Sequence, residues 1–185
     1  MGKKVNIFGF AGSLREGSYN KALLRAALEL LPEGARLEIF DLKDIPPFNQ
    51  DLEETPPERV KEFKKRINMA DALLIATPEY NYSIPGVLKN AIDWASRPYD
   101  DNVFENKPVA LMSASDGMLG GARAQYHLRQ TLVALNMHPL NRPEVIVASA
   151  SEKIDENGRV TDDKTRKRIR SLLEKLVEWI VRLGK

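Results

Sequence analysis

The sequence predicts a doubly wound α/β domain. Short apolar strands alternate with amphipathic helices along the whole chain, glycines and prolines mark the joints, and one central run is apolar at every position. Residues 5–10 read as the first strand. Residues 20–31 form a helix with Ala22, Leu23, Ala26, Ala27 and Leu30 at helical spacing, closed by Pro32 and Gly34. A second strand runs from residue 35 to about residue 42, where Leu37 and Ile39 alternate with polar neighbours. A loop with Pro46, Pro47, Pro56 and Pro57 leads to a helix over Glu58–Met69. Residues 72–76, all apolar, suit a central parallel strand covered on both faces. A helix at 85–96, a strand at 108–112, a helix at 120–136 and a strand at 145–148 follow. Asn157-Gly158 marks a tight turn in a small hairpin between Ile154 and Val160, and residues 162–183 close the chain as an amphipathic helix. Parallel neighbours need long crossovers, so five such strands imply a three-layer sandwich: a five-stranded parallel sheet with helices on both faces. No linker or repeat divides residues 1–185, which read as one domain.

Composition narrows the function classes. The 28 basic and 26 acidic residues nearly cancel, which argues against a dedicated nucleic-acid binder. Lys164, Arg166, Lys167, Arg168 and Arg170 are interspersed with Asp162, Asp163 and Glu174, the pattern of a solvated helix face. No apolar run approaches the roughly 20 residues that span a bilayer. The absence of cysteine excludes disulfides, thiolate nucleophiles and cysteine metal sites, and fits a cytoplasmic location. The two histidines, His127 and His138, lack ligand partners at metal-binding spacing, so no metal is expected. No Gly-x-Ser-x-Gly elbow occurs, which disfavours a serine hydrolase.

In open parallel sheets, ligands bind beyond the carboxyl ends of the strands, where the strand order reverses. Three loops lie there. The first, Gly12-Ser13-Leu14-Arg15-Glu16-Gly17-Ser18-Tyr19-Asn20, opens a helix whose N-terminus attracts phosphate. Ser13, Ser18 and Asn20 offer hydrogen bonds, and Arg15 offers a charge-assisted one. Ser18 or Asn20 could equally serve as a plain helix cap, but a cap alone leaves Arg15 and two glycines unexplained. The loop lacks G-x-G-x-x-G spacing, so it is no dinucleotide fingerprint, and Asp41 after the second strand is a weak ribose-binding candidate. The second loop, residues 77–86, combines two tyrosines with prolines that limit its freedom, as the wall of a planar redox ring requires. An ordinary βα connection would look similar. The third, residues 113–123, is rich in small residues that let backbone approach a flat ligand; its alternative is a helix N-terminus capped by Ser115 or Asp116.

Taken together, Gly12-Ser13-Leu14-Arg15 with Ser18 and Asn20, the run from Pro78 to Trp94, and the stretch from Gly120 to Gln130 continuing to Leu140-Asn141-Arg142-Pro143-Glu144 resemble the NADPH-dependent FMN reductase family, in its chromate and quinone reductase branch. The resemblance implies a flavodoxin-like fold and FMN as cofactor, with NADPH or NADH as co-substrate. Its phosphate would rest on Ser13, Arg15, Ser18 and Asn20. Its ring would lie against Pro78, Glu79, Tyr80 and Asn81, with Ser115 and Gly117 on another side. The implied reaction is ping-pong hydride transfer to small acceptors such as quinones, flavins, azo compounds or chromate, with no catalytic side chain and no metal. A non-enzymatic flavodoxin-type electron carrier is the alternative. A homodimer or homotetramer is expected, using the helices after the second and third loops, with Arg123 and Arg129 meeting acids such as Glu144 of another chain. Neither a nucleic acid nor a membrane is expected as a partner, and the segment after Ser149 carries no functional assignment.

Overall fold

The computed structural model describes residues 4–184. Its strands are β1 (Val5–Ala11), β2 (Ala35–Phe40), β3 (Ala72–Thr77), β4 (Pro108–Ala114), β5 (His138–Pro139) and β6 (Val145–Val147). All pair in parallel, in the order β2-β1-β3-β4-β5, with β6 also on β4. The helices are α1 (Tyr19–Glu29), α2 (Glu58–Met69), α3 (Gly86–Ala95), α4 (Ala122–Ala134) and α5 (Asp163–Arg182). This is the flavodoxin-like arrangement, with order reversal at the carboxyl ends of β1 and β3.

One expectation is refined. The fifth lane of the sheet is not one strand but two pieces, β5 beside Pro108 and Val109, and β6 beside Met112–Ala114. Pro143 in the intervening segment has no N–H to give the ladder, so pairing lapses and resumes. Some element ends also move. The fourth helix starts at Ala122 rather than residue 120, because Gly120 and Gly121 take φ of +56° and +89°. An added Cβ on Gly120 would stand 2.7 Å from the Ala148 nitrogen, and one on Gly121 2.7 Å from Ser113 Cβ. Close approach as well as turn geometry therefore demands glycine at both. The hairpin pairing Ile154 with Val160 is present, and both side chains are buried.

The period-two alternation of the strands divides the core. One face, packed by α1 and α5, is aliphatic: Leu23, Leu24 and Ala27 meet Leu172, Leu173 and Leu176 beside Ile7 and Leu74. The other face is aromatic and includes Leu88 and Ile92 of α3. There Phe10 and Phe40 each lie 5.2 Å, ring centroid to centroid, from Phe63. Burial of these side chains, each worth on the order of 1.5–3 kcal/mol, fixes the strand ends relative to one another. Register then sets Ala11 beside Ala76 and Thr77 beside Ser113, so the loops after β1, β3 and β4 leave the sheet at one level. Among the described residues, no helix is long and apolar enough to cross a membrane.

Candidate functional site

The loop after β1 is short of internal bonds. Gly12 N–H donates to the Ala76 carbonyl and Ser18 N–H to the Arg15 carbonyl, but the N–H groups of residues 13–17 find no acceptor among the described residues. Ser18 caps α1, its hydroxyl accepting from Lys21 N–H at a long 3.5 Å. Ser13 is largely buried as a residue, but its hydroxyl makes no hydrogen bond among the described residues and stays open to solvent. Arg15 is exposed, its guanidinium carbon 5.2 Å from the centroid of the Tyr19 ring. A row of unused N–H groups, an unengaged hydroxyl and a cation at a helix N-terminus form a donor set suited to a phosphate monoester.

Asn20 plays a different part. Its amide donates to the Ala114 carbonyl and accepts from Ala114 N–H, both at 3.0 Å, in a buried reciprocal pair. It thereby locks the start of α1 to the end of β4, holding the first loop against the third. Asp41 accepts from the Lys21 ammonium at 2.8 Å and from Lys43 N–H at 2.9 Å. Burial opposes its ionisation, but these bonds and the nearby Lys21 and Arg59 charges hold its carboxyl below the ordinary range.

The loop after β3 is the opposite in kind. Tyr80 and Ser83 exchange backbone bonds of 3.0 and 2.9 Å, while Asn81 and Tyr82 both take positive φ, +49° and +66°. That is a type I′ turn, tolerable at asparagine and strained at tyrosine. Pro78 is buried, whereas Tyr80 and Asn81 are exposed. Glu79 points its carboxylate at α4, accepting from the N–H groups of Arg123 and Ala124 at 3.1 and 3.4 Å and pairing with the Arg123 guanidinium. That guanidinium stacks 3.5 Å from the centroid of the Tyr82 ring. Helix α4 has no side-chain cap at its own N-cap residue, Gly121, so neither Ser115 nor Asp116 caps it; Glu79, far off in sequence, supplies the acceptor.

The third loop completes a cleft of about 510 Å³, lined by Glu79, Asn81, Tyr82, Ser115, Gly117 and Arg123 among others. That volume suits a small-molecule site. Met118 stands almost fully exposed at its lip. Ser115 accepts from Gly117 N–H at 3.2 Å, and Asp116 accepts from Ser151 N–H at 2.7 Å. Residues 150–152 therefore pin this loop, a role that nothing in the local sequence after Ser149 signals.

The predicted residues fall into two neighbouring groups. Ser13, Arg15 and Ser18 gather at the helix N-terminus, while Glu79, Asn81, Ser115 and Gly117 line the cleft. Asn20 lies behind the first group with its amide engaged by Ala114, and the Glu79 carboxylate is engaged by α4. Arg123 and Arg129 have partners within the chain: Glu79 for the first, Asn141 and the Leu140 carbonyl for the second. Glu79 thus pairs the Arg123 charge within the chain, whereas the Arg129 partners are both neutral oxygens. A further cavity, of about 420 Å³, lies by Asn6, Arg36 and Met69 at the amino end of the sheet, where this fold does not place ligands.

A model of the family described as NADPH-dependent FMN reductase matches residues 5–152. The NAD(P)H-dependent FMN reductase of Pseudomonas aeruginosa is 52% identical over 184 residues, which cover 99% of both chains. An NAD(P)H:quinone oxidoreductase of Solanum tuberosum is 47% identical, covering 91% of this chain and 89% of its own. Among solved structures, the flavoenzyme NAD(P)H:(acceptor) oxidoreductase of Paracoccus denitrificans superposes with a TM-score of 0.88 at 36% identity, covering 96% of this chain and 98% of its own.

Proposed function

The chain belongs to the NADPH-dependent FMN reductase family, and from that premise we propose how its residues hold FMN and which acceptors it serves. It is an NAD(P)H-dependent flavin oxidoreductase, which decides against the non-enzymatic carrier. The observation that carries the binding proposal is the set of N–H groups of residues 13–17 that are unpartnered among the described residues, beside a Ser13 hydroxyl that makes no hydrogen bond there and stays open to solvent. Ser13, Arg15 and Ser18 hold the phosphate of FMN, with Asn20 fixing the loop from behind. Pro78, Glu79, Tyr80 and Asn81 form the wall for the ring, with Ser115 and Gly117 opposite. Glu79 contributes there through its backbone, since its carboxylate serves α4. The fit is chemical as well as steric: the N–H groups of Glu79, Asn81 and Tyr82 have no acceptor among the described residues, so the wall retains donors for a polar ring edge.

Bound FMN supplies hydride chemistry, and the protein supplies placement and electrostatics. Buried Pro78 and the Tyr82–Arg123 stack present a stiff, flat surface that limits water at the wall. We assign small quinones as the principal acceptors, by likeness to relatives named quinone reductases, with free flavins, azo compounds and chromate as further candidates. The chain works as one FMN-binding domain over residues 1–185, in the cytoplasm, as a homodimer or homotetramer. Exposed Tyr82 and Met118 at the cleft, with exposed Tyr126 and Val133 further along α4, support that association, because single-domain flavin sites gain from a neighbour that closes them.

The purified protein should bind FMN more tightly than riboflavin, lose its visible flavin absorbance on adding NADPH, and recover it with a quinone. Equal affinity for the two flavins would overturn the phosphate assignment. Light scattering that gives a mass near the 20.9 kDa of one chain, with full activity, would overturn the oligomer.

A further inference from the structure

Helix α4 grips the loop after β3 at three points. The Glu79 carboxylate accepts from the first N–H groups of the helix, and the Arg123 guanidinium carbon lies 3.5 Å from the centroid of the Tyr82 ring. The third point is His127, four residues after Arg123 and so on the same side of α4. Its Nδ1 stands 3.0 Å from the Ser83 hydroxyl oxygen, which serves either tautomer of the ring because a hydroxyl both donates and accepts. Ser83 is the closing residue of the type I′ turn: its N–H donates to the Tyr80 carbonyl at 2.9 Å, and its carbonyl accepts from Tyr80 N–H at 3.0 Å. Asn81 and Tyr82 stand between that pair, and their N–H groups have no acceptor among the described residues. The mutual pair closes the turn on itself but leaves its tilt against the rest of the molecule unset. The contacts to α4 set that tilt, and the same helix follows directly on the third loop, which lines the other side of the cleft.

We propose that His127 is a positioning residue of the ring wall: it holds Ser83, and through Ser83 it fixes where the spare N–H groups of Asn81 and Tyr82 stand across from the third loop. The inference rests on the reading of residues 78–81 as the wall for the flavin ring. Arg123 is held by Glu79 as well as by Tyr82, whereas the His127 ring has Ser83 as its one hydrogen-bond partner among the described residues. Its side chain is exposed, so little of the fold depends on it. Its effect falls on the ring and not on the phosphate, so FMN and riboflavin should feel it alike.

Flavin-stripped full-length protein is titrated with FMN and with riboflavin, following flavin fluorescence. His127→Leu should weaken both by the same factor, about three- to fivefold, on the scale of one hydrogen bond. The flavin-free melting temperature should stay within about 2 °C of the parent, as for other surface changes in a chain of this size. The visible absorbance maximum of bound FMN should also move, because it responds to donors at the ring edge. His127→Asn should restore both affinity and absorbance, since its amide places a polar atom as many bonds from Cβ as Nδ1 is. Ser83→Ala should reproduce His127→Leu, and the double variant should be no weaker than either single one. Unchanged affinities with an unmoved absorbance in His127→Leu, a loss confined to FMN, or additive losses in the double variant would each overturn the proposal. Asn81→Val, which strains the turn directly, separates the two readings. If it also leaves both flavins unaffected, the wall reading fails and this inference with it; if it weakens both while His127→Leu does not, this inference alone fails.

Discussion

The loops after β1 and β3 leave the sheet one strand apart and solve opposite problems. The first keeps its donors idle: five successive residues, 13–17, offer N–H groups that nothing among the described residues accepts. The second engages its turn and its acid within the chain, with a mutual pair between Tyr80 and Ser83 and a carboxylate, Glu79, committed to α4, and keeps only the N–H groups of Glu79, Asn81 and Tyr82 spare among the described residues. An unsatisfied loop is prepared for a ligand that brings its own acceptors. A loop braced by its own turn and strained is prepared to be a wall, since strain at Tyr82 persists only where the surroundings over-determine it. Side chains of the first loop should therefore matter to the ligand, and those of the second to the architecture.

The largest effect that separates them is on binding. Arg15→Ala should weaken FMN about tenfold or more, from a charge-assisted bond of roughly 1.5–3 kcal/mol, without moving the melting temperature of flavin-free protein. A comparable loss for riboflavin would break the contrast. Glu79→Ala should do the reverse. Removing the acceptor for the first N–H groups of α4 should lower the flavin-free melting temperature by about 2 to 6 °C, as loss of a helix cap does in a chain of this size. An unchanged melting curve would show that Glu79 is no architectural residue.

The turn itself gives a smaller signal. Asn81→Val forces a β-branched residue to positive φ and should cost about 1 kcal/mol, while Asn81→Gly should be near neutral in denaturant titration. Equal costs for both would refute the type I′ geometry. The smallest effect lies behind the first loop. The folded-state pKa of Asp41 is below its ordinary 3.8, so its contribution is fully present above that value and is lost as the pH falls through the lower, folded one. Asp41→Asn should therefore differ from the parent by about 0.5 kcal/mol near neutrality, as partly exposed pairs do, and the two should converge as the pH falls through the lowered folded-state pKa. A difference that persists in acid would point to packing instead.

Periodicity, turn residues and apolar runs are local, and they were enough to order the elements, to place the three loops at the carboxyl ends of the strands and to bring out Ser13, Arg15 and Ser18 at a helix N-terminus. The all-apolar run that begins at Ala72 could be read directly because a strand covered on both faces has no polar position to spare. The break between β5 and β6 was less visible, since a strand of two or three residues carries almost no pattern. Partnership could not be read at all. Asn20 reads as a cap or a phosphate ligand until Ala114, 94 residues on, takes both ends of its amide. Glu79 reads as a ring contact until Arg123, 44 residues on, claims its carboxylate. Asp116 reads as a cap until Ser151, 35 residues on, engages it. The sequence by itself determined which backbone segments form and which residue types stand at their ends, because those follow from steric and hydrophobic preferences within a few residues. Only the tertiary structure decided which polar groups remain free for a ligand: a donor or acceptor is spent or spare according to what the packed core brings beside it, and the aliphatic and aromatic faces of the sheet set that distance.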